Sequence, residues 1–291
     1  MPQITTALIQ ELREKTSAGM LDCKNALTEN DGDIQAAADW LRQKGIVKAA
    51  KKADRVAASG LVSAAKSNDG AFGVIVELNA ETDFVAKNEK FQKLVADATA
   101  KALELGGDFD KTLAAMKDEI ANTIATIGEN MTLRRIASAK GDAVYTYVHN
   151  ALVPGMGQIG VVVALNGDVA ASAEIGPKIA MHIAANKPEF ATVADVDPKS
   201  VEREKKVFIE SGATAGKPEQ VVEKMVEGRI KKYYAESVLT AQPFVMDPDK
   251  TVEQVLAAAG ATLAGFAYFL LGEGIQKRED NLADEVAKML G

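Results

Sequence analysis

The chain has 291 residues, 47% of them hydrophobic, so it can bury a substantial core and form two or three domains. Its formal net charge of -7 disfavours extended contacts with nucleic acids or anionic membranes, and it favours proteins or small molecules as partners. A single cysteine, Cys23, excludes an internal disulfide, and the first residues lack a signal-peptide pattern, so we expect a cytoplasmic protein.

Three short helices are predicted in the first 45 residues. Leu8 and Leu12 lie one turn apart in the first helix, Asp33 can cap the third, and Gly45 stands where a C-terminal cap is expected. Such a bundle has little core of its own and is typical of a docking module, although a plain subdomain packed on the rest of the chain is the alternative. The basic stretch "VKAAKKADR" that follows is interpreted as a solvated linker helix, with an anionic partner surface as the alternative.

The middle of the chain changes from helical to strand periodicity. The run "FGVIVELN" predicts a buried strand, and an apolar stripe after it predicts a helix with Phe91, Leu94, Val95, Ala98 and Ala102 on one face. "GVIVELN" and the later "GVVVALN" share five of seven letters, which indicates an internal duplication giving two related α/β halves. The second copy lacks the "ETDFV" that follows the first, so the two halves are expected to differ in function.

Further strands and helices are predicted beyond this point. "MTLRRIASA" and "AVYTYVHN" read as strands of antiparallel or mixed sheets, and "VPGMGQ" reads as a mobile surface loop. Residues 197–237 predict a charged helical hairpin that is interrupted at "ESGATAGKPEQ", and "NLADEVAKML" predicts a last helix. The uncharged run 255–272 is long enough for a membrane span, but its glycines and alanines favour a short helix, a turn and a buried strand.

The sequence offers no recognisable catalytic or metal-binding pattern. His149 and His182 lack a spaced second ligand, and a structural histidine is the preferred interpretation for His182. "GATAGKP" resembles a phosphate loop but is one residue short and carries Pro218 where Ser or Thr is required. We therefore expect a protein that is not an enzyme and that uses no cofactor.

Six motifs in the right order resemble the bacterial elongation factor Ts family, the nucleotide-exchange factors of elongation factor Tu. They are "LREKTSAGMLDCKNAL", "AETDFVAKN", "IGENMTLRR", "MHIAANKPEF", "KMVEGRIKK" and "QPFVMDP". The resemblance covers nearly the whole chain and implies an α+β fold with mainly antiparallel sheets. The implied divisions are an N-terminal ubiquitin-associated-like module over 1–54, a first core subdomain over 55–140, a second over 141–185 and 238–272, an inserted hairpin over 186–237, and a C-terminal helical module over 273–291.

The resemblance also implies which residues act. Thr82, Asp83, Phe84 and Val85 would enter the partner's nucleotide domain and dislocate its magnesium, with Phe84 as an apolar wedge and Asp83 as a polar anchor. From the residues alone, Phe84 could instead begin the apolar stripe that continues at Phe91. The other implied contact residues are Met20, Lys24, Ile127, Gly128, Glu129, Asn130 and His149.

The resemblance implies that the partner is elongation factor Tu in its GDP-bound and nucleotide-free forms. Nucleotide and magnesium belong to the partner, so this chain should bind neither of them, and it should bind no membrane. The hairpin could mediate a homodimer or a 2:2 complex. A longer link after His149, "NALVPGMGQ", departs from the family pattern. A polypeptide-binding or scaffolding protein without exchange activity is the alternative function.

Overall fold

The computed structural model describes residues 4–16 and 18–276 of the chain. It divides into two compact units, the first made of Met1–Val62, Val76–Ile136 and Leu270–Gly291, the second of Ser63–Ile75 and Ala137–Phe269. The predicted last helix, "NLADEVAKML", and most of the predicted module over 273–291 lie outside the described residues. Helices and antiparallel strands together give the α+β fold that the sequence predicts.

The N-terminal bundle has the three predicted helices, α1 (Thr6–Thr16), α2 (Met20–Glu29) and α3 (Ile34–Ala50). The predicted cap of α3 is confirmed, because the Asp33 side chain accepts a hydrogen bond from the N–H of Ala36 at 2.8 Å. The bundle closes over a small apolar core, as expected for a module of this size. That core consists of Leu12, Cys23, Ala26, Leu27 and Ala37.

The prediction that Gly45 caps α3 is wrong, because the helix continues to Ala50. Gly45 is buried against α6 (Phe109–Ile127), where an added Cβ would lie 3.3 Å from Asn122 Oδ1 and 3.6 Å from Ala125 Cβ. The glycine therefore allows α3 to approach α6 closely and does not end the helix.

The interpretation of "VKAAKKADR" as a solvated linker helix is also wrong in part. Residues 51–54 after α3 form turns, and the Lys52 ammonium donates a hydrogen bond to the carbonyl oxygen of Gly128. Arg55 lies 3.5 Å from the Glu81 carboxylate. This basic segment is thus tied to the loop that follows α6.

The first α/β segment contains β1 (Ser59–Lys66), β2 (Phe72–Ala80), α4 (Asp83–Ala86), α5 (Glu89–Glu104), α6 and β3 (Met131–Lys140). The predicted buried stripe of α5 is confirmed at all five positions. With the two-residue strand β5 (Met156–Gly157), these strands form a sheet of order β3-β2-β1-β5. Part of the predicted loop "VPGMGQ" is therefore a strand.

The second α/β segment is built on β4 (Ala143–His149), β6 (Ile159–Gly167), α7 (Val169–Asn186) and β9 (Ala261–Leu270). Its sheet has the order β4-β6-β9, and β4 pairs antiparallel with β6 from Ala143↔Leu165 to His149↔Ile159. Both copies of the repeated phrase lie on strands, β2 and β6, and each strand is followed by helix. Val161, Val163 and Leu165 of β6 face Ile179 and Ile183 of α7 in one apolar core.

The predicted helical hairpin consists of α8 (Pro198–Glu210) and α9 (Glu219–Ser237), which pack against each other. It is followed by β7 (Pro243–Phe244), β8 (Asp247–Thr251) and α10 (Val252–Ala258). The run 255–272 is a helix end, a turn and a strand, as predicted, although most of β9 is only half-buried. Within the described ranges, no helix combines the length and apolar character needed to cross a membrane.

Candidate functional site

In the short helix α4, two neighbouring apolar side chains differ sharply in their exposure to solvent. Phe84 is 75% exposed, whereas Val85 is 4% exposed and Ala86 is also buried. The alternative that Phe84 begins the buried stripe of α5 is therefore wrong. A four-residue helix is too short to be stable alone, so its position depends on these two buried residues and on the contacts before it. Asp83 lies beside Phe84 on the exposed side.

Thr82, immediately before α4, is bound by a carboxylate that lies 47 residues further along the chain. Its N–H donates to Glu129 Oε2 at 2.9 Å, and its hydroxyl donates to Glu129 Oε1 at 2.8 Å. Thr82 is extended, with φ -123° and ψ 158°, and its side chain makes no capping bond to α4. The hydroxyl is thus used to fix the entry to the helix and does not cap it.

The loop that carries Glu129 is itself held in place. Gly128 ends α6 in the left-handed conformation at φ 94°, and its N–H donates to Ile124 O at 2.9 Å. Two residues later, the N–H of Asn130 donates to Glu81 Oε1 at 2.5 Å. Glu81 and Glu129 therefore form a reciprocal pair, because each carboxylate accepts from the backbone of the other segment.

Asn130 extends this arrangement to the end of the N-terminal module. Its side chain is buried and donates from Nδ2 to the carbonyl oxygen of Arg55 at 2.7 Å. Together with the bond from Lys52 to Gly128, this contact joins the turn after α3 to the loop after α6. The structure thus brings together the predicted residues 82–85 and 127–130.

The predicted N-terminal residues lie on the surface of the same unit. Met20 is 60% exposed at the start of α2, and Lys24 is exposed one turn later. Met20 lines a groove with Arg13 of α1 and Lys90 of α5, so this surface borders the first turn of the helix after α4. Leu21 is 71% exposed, and sequence reasoning missed it although it directly follows Met20.

His149 belongs to the second unit, at the exposed end of β4. Its Nδ1 lies 3.1 Å from the hydroxyl of Tyr147, two residues earlier on the same face of the strand. The longer link after it includes β5, and Gln158 N–H donates to His149 O at 3.2 Å. The Thr82–Glu129 contact belongs to the first unit.

Sequence reasoning also missed a buried carboxylate, Glu77, within the apolar strand β2. It is fully buried and binds Arg134 at 2.9 Å, Arg135 at 2.5 Å and the N–H of Gly272 at 2.8 Å. Burial raises the pKa of Glu77, but the hydrogen bonds from Gly272 and the two arginines outweigh it and hold the pKa below its usual value. The lone acid inside "FGVIVELN" is the signal that could have indicated this cluster.

The prediction that His182 is a structural histidine is confirmed. The imidazole is fully buried, with Nε2 at 2.9 Å from Gln242 Oε1 and with Nδ1 accepting from Val245 N–H at 3.2 Å. Burial lowers its pKa, opposed by the bond to Gln242, so the ring is neutral at pH 7. The part of the chain that the structure describes contains no group of three or more His, Cys, Asp or Glu placed to hold a metal ion.

The chain is similar to proteins of one family over nearly its whole length. The family model described as Elongation factor TS matches residues 81–273, a range that includes the whole of α4 and the loop at Glu129. The Elongation factor Ts of Hyphomonas neptunium is 54% identical, over 99% of each chain. The proteins of the same name from Paracoccus denitrificans and Caulobacter vibrioides are 53% and 50% identical, over at least 98% of each chain. The chain therefore belongs to the elongation factor Ts family of translation elongation factors.

Proposed function

We propose that this chain is a guanine nucleotide exchange factor for elongation factor Tu. It binds the GDP-bound form, disturbs the magnesium and phosphate site, and promotes release of GDP so that GTP can bind. The observation that carries the proposal is Phe84, a large apolar side chain that is 75% exposed on a turn fixed by Val85 and Thr82. An exposed aromatic residue on a fixed backbone has the properties of an interface anchor.

In the proposed mechanism, the chain displaces the parts of its partner that hold magnesium and phosphate. A GTPase holds GDP through backbone amides and a lysine around the phosphates, with magnesium bridging phosphate oxygens and protein. Phe84 enters between elements of the partner that organise the magnesium site, and Asp83 makes a polar contact beside it. Because Val85 and Ala86 stay buried in this chain, α4 resists being pushed back. The partner's elements therefore move, and the metal and phosphates lose their support.

This function requires no reacting side chain in the factor. If one ligand of a protein lowers the affinity for a second ligand, the second lowers the affinity for the first by the same factor. A chain that lowers the affinity of its partner for GDP is therefore itself displaced by incoming nucleotide. The interface must be broad to compete with a tightly held nucleotide. We propose that it includes further contacts at Met20, Lys24, Ile127, Gly128, Asn130 and His149.

We also propose roles for the remaining parts of the chain. The module over 1–54 docks on the partner's nucleotide domain and increases affinity without providing the wedge. The hairpin over 186–237 contributes to self-association, as a homodimer or a 2:2 complex, because Val207 and Ile209 of α8 are exposed apolar residues. Magnesium and nucleotide stay with the partner throughout.

The test is the release of a fluorescent GDP from elongation factor Tu, with and without this chain. We expect the wild-type chain to accelerate release and Phe84→Ala to lose most of that acceleration. Met246→Ala is the matched control, because Met246 is an exposed apolar residue on the β7–β8 turn of the second unit. An unchanged release rate together with binding of unfolded polypeptides would favour the scaffolding alternative.

A further inference from the structure

Glu129 lies in a segment that the family resemblance would assign to the interface, but both of its carboxylate oxygens are used within the chain. Oε2 accepts from the Thr82 N–H at 2.9 Å and Oε1 accepts from the Thr82 hydroxyl at 2.8 Å. A carboxylate with both oxygens bound to one residue resists rotation, since turning it breaks two hydrogen bonds at once. We propose that Glu129 is a positioning residue that fixes the direction in which Phe84 leaves the protein surface, an inference that rests on the proposed function.

The geometry before α4 explains why such a residue is needed. The helix has a single turn, and the Thr82 hydroxyl makes no capping bond to it. Without a cap, the N-terminal turn of a helix frays readily. The bonds to Glu129 hold Thr82 extended, and this conformation leads the chain into α4 with Phe84 outward and Val85 inward.

Glu129 can act as a brace because its own backbone is fixed on both sides. The neighbouring Asn130 N–H binds Glu81 Oε1, and the Gly128 carbonyl accepts from Lys52. Glu81 and Thr82 are adjacent, as are Glu129 and Asn130, so the two acids cross-link the same two segments in opposite directions. This reciprocal brace makes the position of Phe84 depend on residues that lie far from it in sequence.

The first experiment measures the brace in the free chain. Hydrogen exchange at the Thr82 amide should be slow in the wild type and about tenfold faster in Glu129→Gln, the factor expected for losing one hydrogen bond to a charged acceptor. Glu104→Gln is the matched control, an exposed acid at the far end of α5. A Thr82 amide that exchanges equally fast in the wild type and in Glu129→Gln overturns the proposal.

The second experiment separates positioning from direct contact with the partner. At saturating factor, Glu129→Gln should slow GDP release roughly tenfold in a wild-type background but by less than about twofold in a Phe84→Ala background. Thr82→Val should resemble Glu129→Gln, because it removes the hydroxyl that donates to Glu129 Oε1. An effect of Glu129→Gln that is equally large without Phe84 identifies Glu129 as a contact residue and overturns the proposal.

The outcomes distinguish this inference from the function on which it rests. A wild-type chain that does not accelerate GDP release overturns the proposed function, and with it the role of Glu129 in exchange, whatever the Thr82 amide shows. A wild-type chain that does accelerate release, while Glu129→Gln matches it at every concentration, overturns the role of Glu129 alone.

Discussion

Phe84 and Val85 are neighbours in one helical turn, yet Phe84 projects from the surface while Val85 is buried in the first unit. Because the two side chains differ in burial, replacing each by alanine should change the free energy of unfolding by different amounts. Phe84→Ala should change the free energy of unfolding by less than about 0.5 kcal/mol, because an exposed side chain loses few contacts. Val85→Ala should cost about 2 kcal/mol, because it leaves a cavity.

Release of GDP should show the reverse order for these two variants. Phe84→Ala should slow release at every concentration of factor, whereas Val85→Ala should retain activity in proportion to the fraction that is folded. Melting temperature and GDP release measured on the same samples decide the matter. A large drop in melting temperature for Phe84→Ala, with normal release per folded molecule, would contradict the assignment of Phe84 as a wedge.

The close approach of α3 to α6 at Gly45 predicts a second stability effect. Gly45→Val should cost about 1 to 3 kcal/mol, because the new side chain meets Asn122 and Ala125 in a packed interface. Gly228→Val is the matched control, since Gly228 is also inside a helix but faces open space, and its effect should stay within about 0.5 kcal/mol. Urea denaturation of the two variants provides the comparison, and equal midpoints would argue against the packing role of Gly45.

The buried carboxylate of Glu77 predicts a loss of stability in acid. Its pKa in the folded chain is held below the unfolded value, so its contribution is fully present above the unfolded pKa and is lost as pH falls through the folded one. Glu77→Gln should cost about 3 kcal/mol at pH 7, because Arg134 loses its carboxylate partner and Arg135 keeps the longer ion pair with Glu273 at 3.4 Å. The variant should also show a shallower decline in unfolding free energy as pH falls below the unfolded pKa of 4.5 towards the lower folded pKa. A parallel decline would exclude Glu77 as the source.

The buried His182 predicts a second dependence of stability on pH, at a higher pH than the effect of Glu77. Burial lowers its pKa in the folded chain, so the unfolded state binds the proton more readily and stability falls as pH drops below the unfolded pKa towards the folded one. The slope from this one group cannot exceed about 1.4 kcal/mol per pH unit. Denaturant titrations at pH 7.5 and below 6.5 should show this slope in the wild type and its loss in His182→Gln. If the free energy of unfolding changes with pH equally in both proteins, His182 is not the cause of the change.

The hairpin formed by α8 and α9 predicts a separation of assembly from exchange. Replacing residues 201–233 by a short Gly-Ser turn should leave GDP release nearly unchanged, and it keeps the hydrogen bonds from Glu189 and Phe190 to Ser237. Sedimentation velocity should show less self-association than in the wild type. Ile209→Glu provides a milder version, because Ile209 is exposed on α8. Loss of exchange with the fold preserved would assign the hairpin to the nucleotide site.

Local sequence patterns predicted most of the helices and strands. Periodicity placed the buried stripe of α5 and the cap at Asp33, because helix and strand patterns depend on neighbours within a few residues. It could not decide whether Phe84 was core or surface, since an apolar residue seven positions before Phe91 fits both. It also misassigned Gly45, because a glycine that caps a helix and one that allows close packing look alike in a single sequence.

The contacts between distant segments depend on how the whole chain folds. Thr82 and Glu129 meet across 47 residues, and Glu77 meets Gly272 across 195. No local pattern encodes such pairs, because they depend on how α5 and α6 return the chain to the end of β2 and on where β9 ends. The exposure of Phe84 follows from the same cause: burial of Val85 and the bonds to Glu129 leave α4 one orientation, and in that orientation the aromatic ring faces solvent.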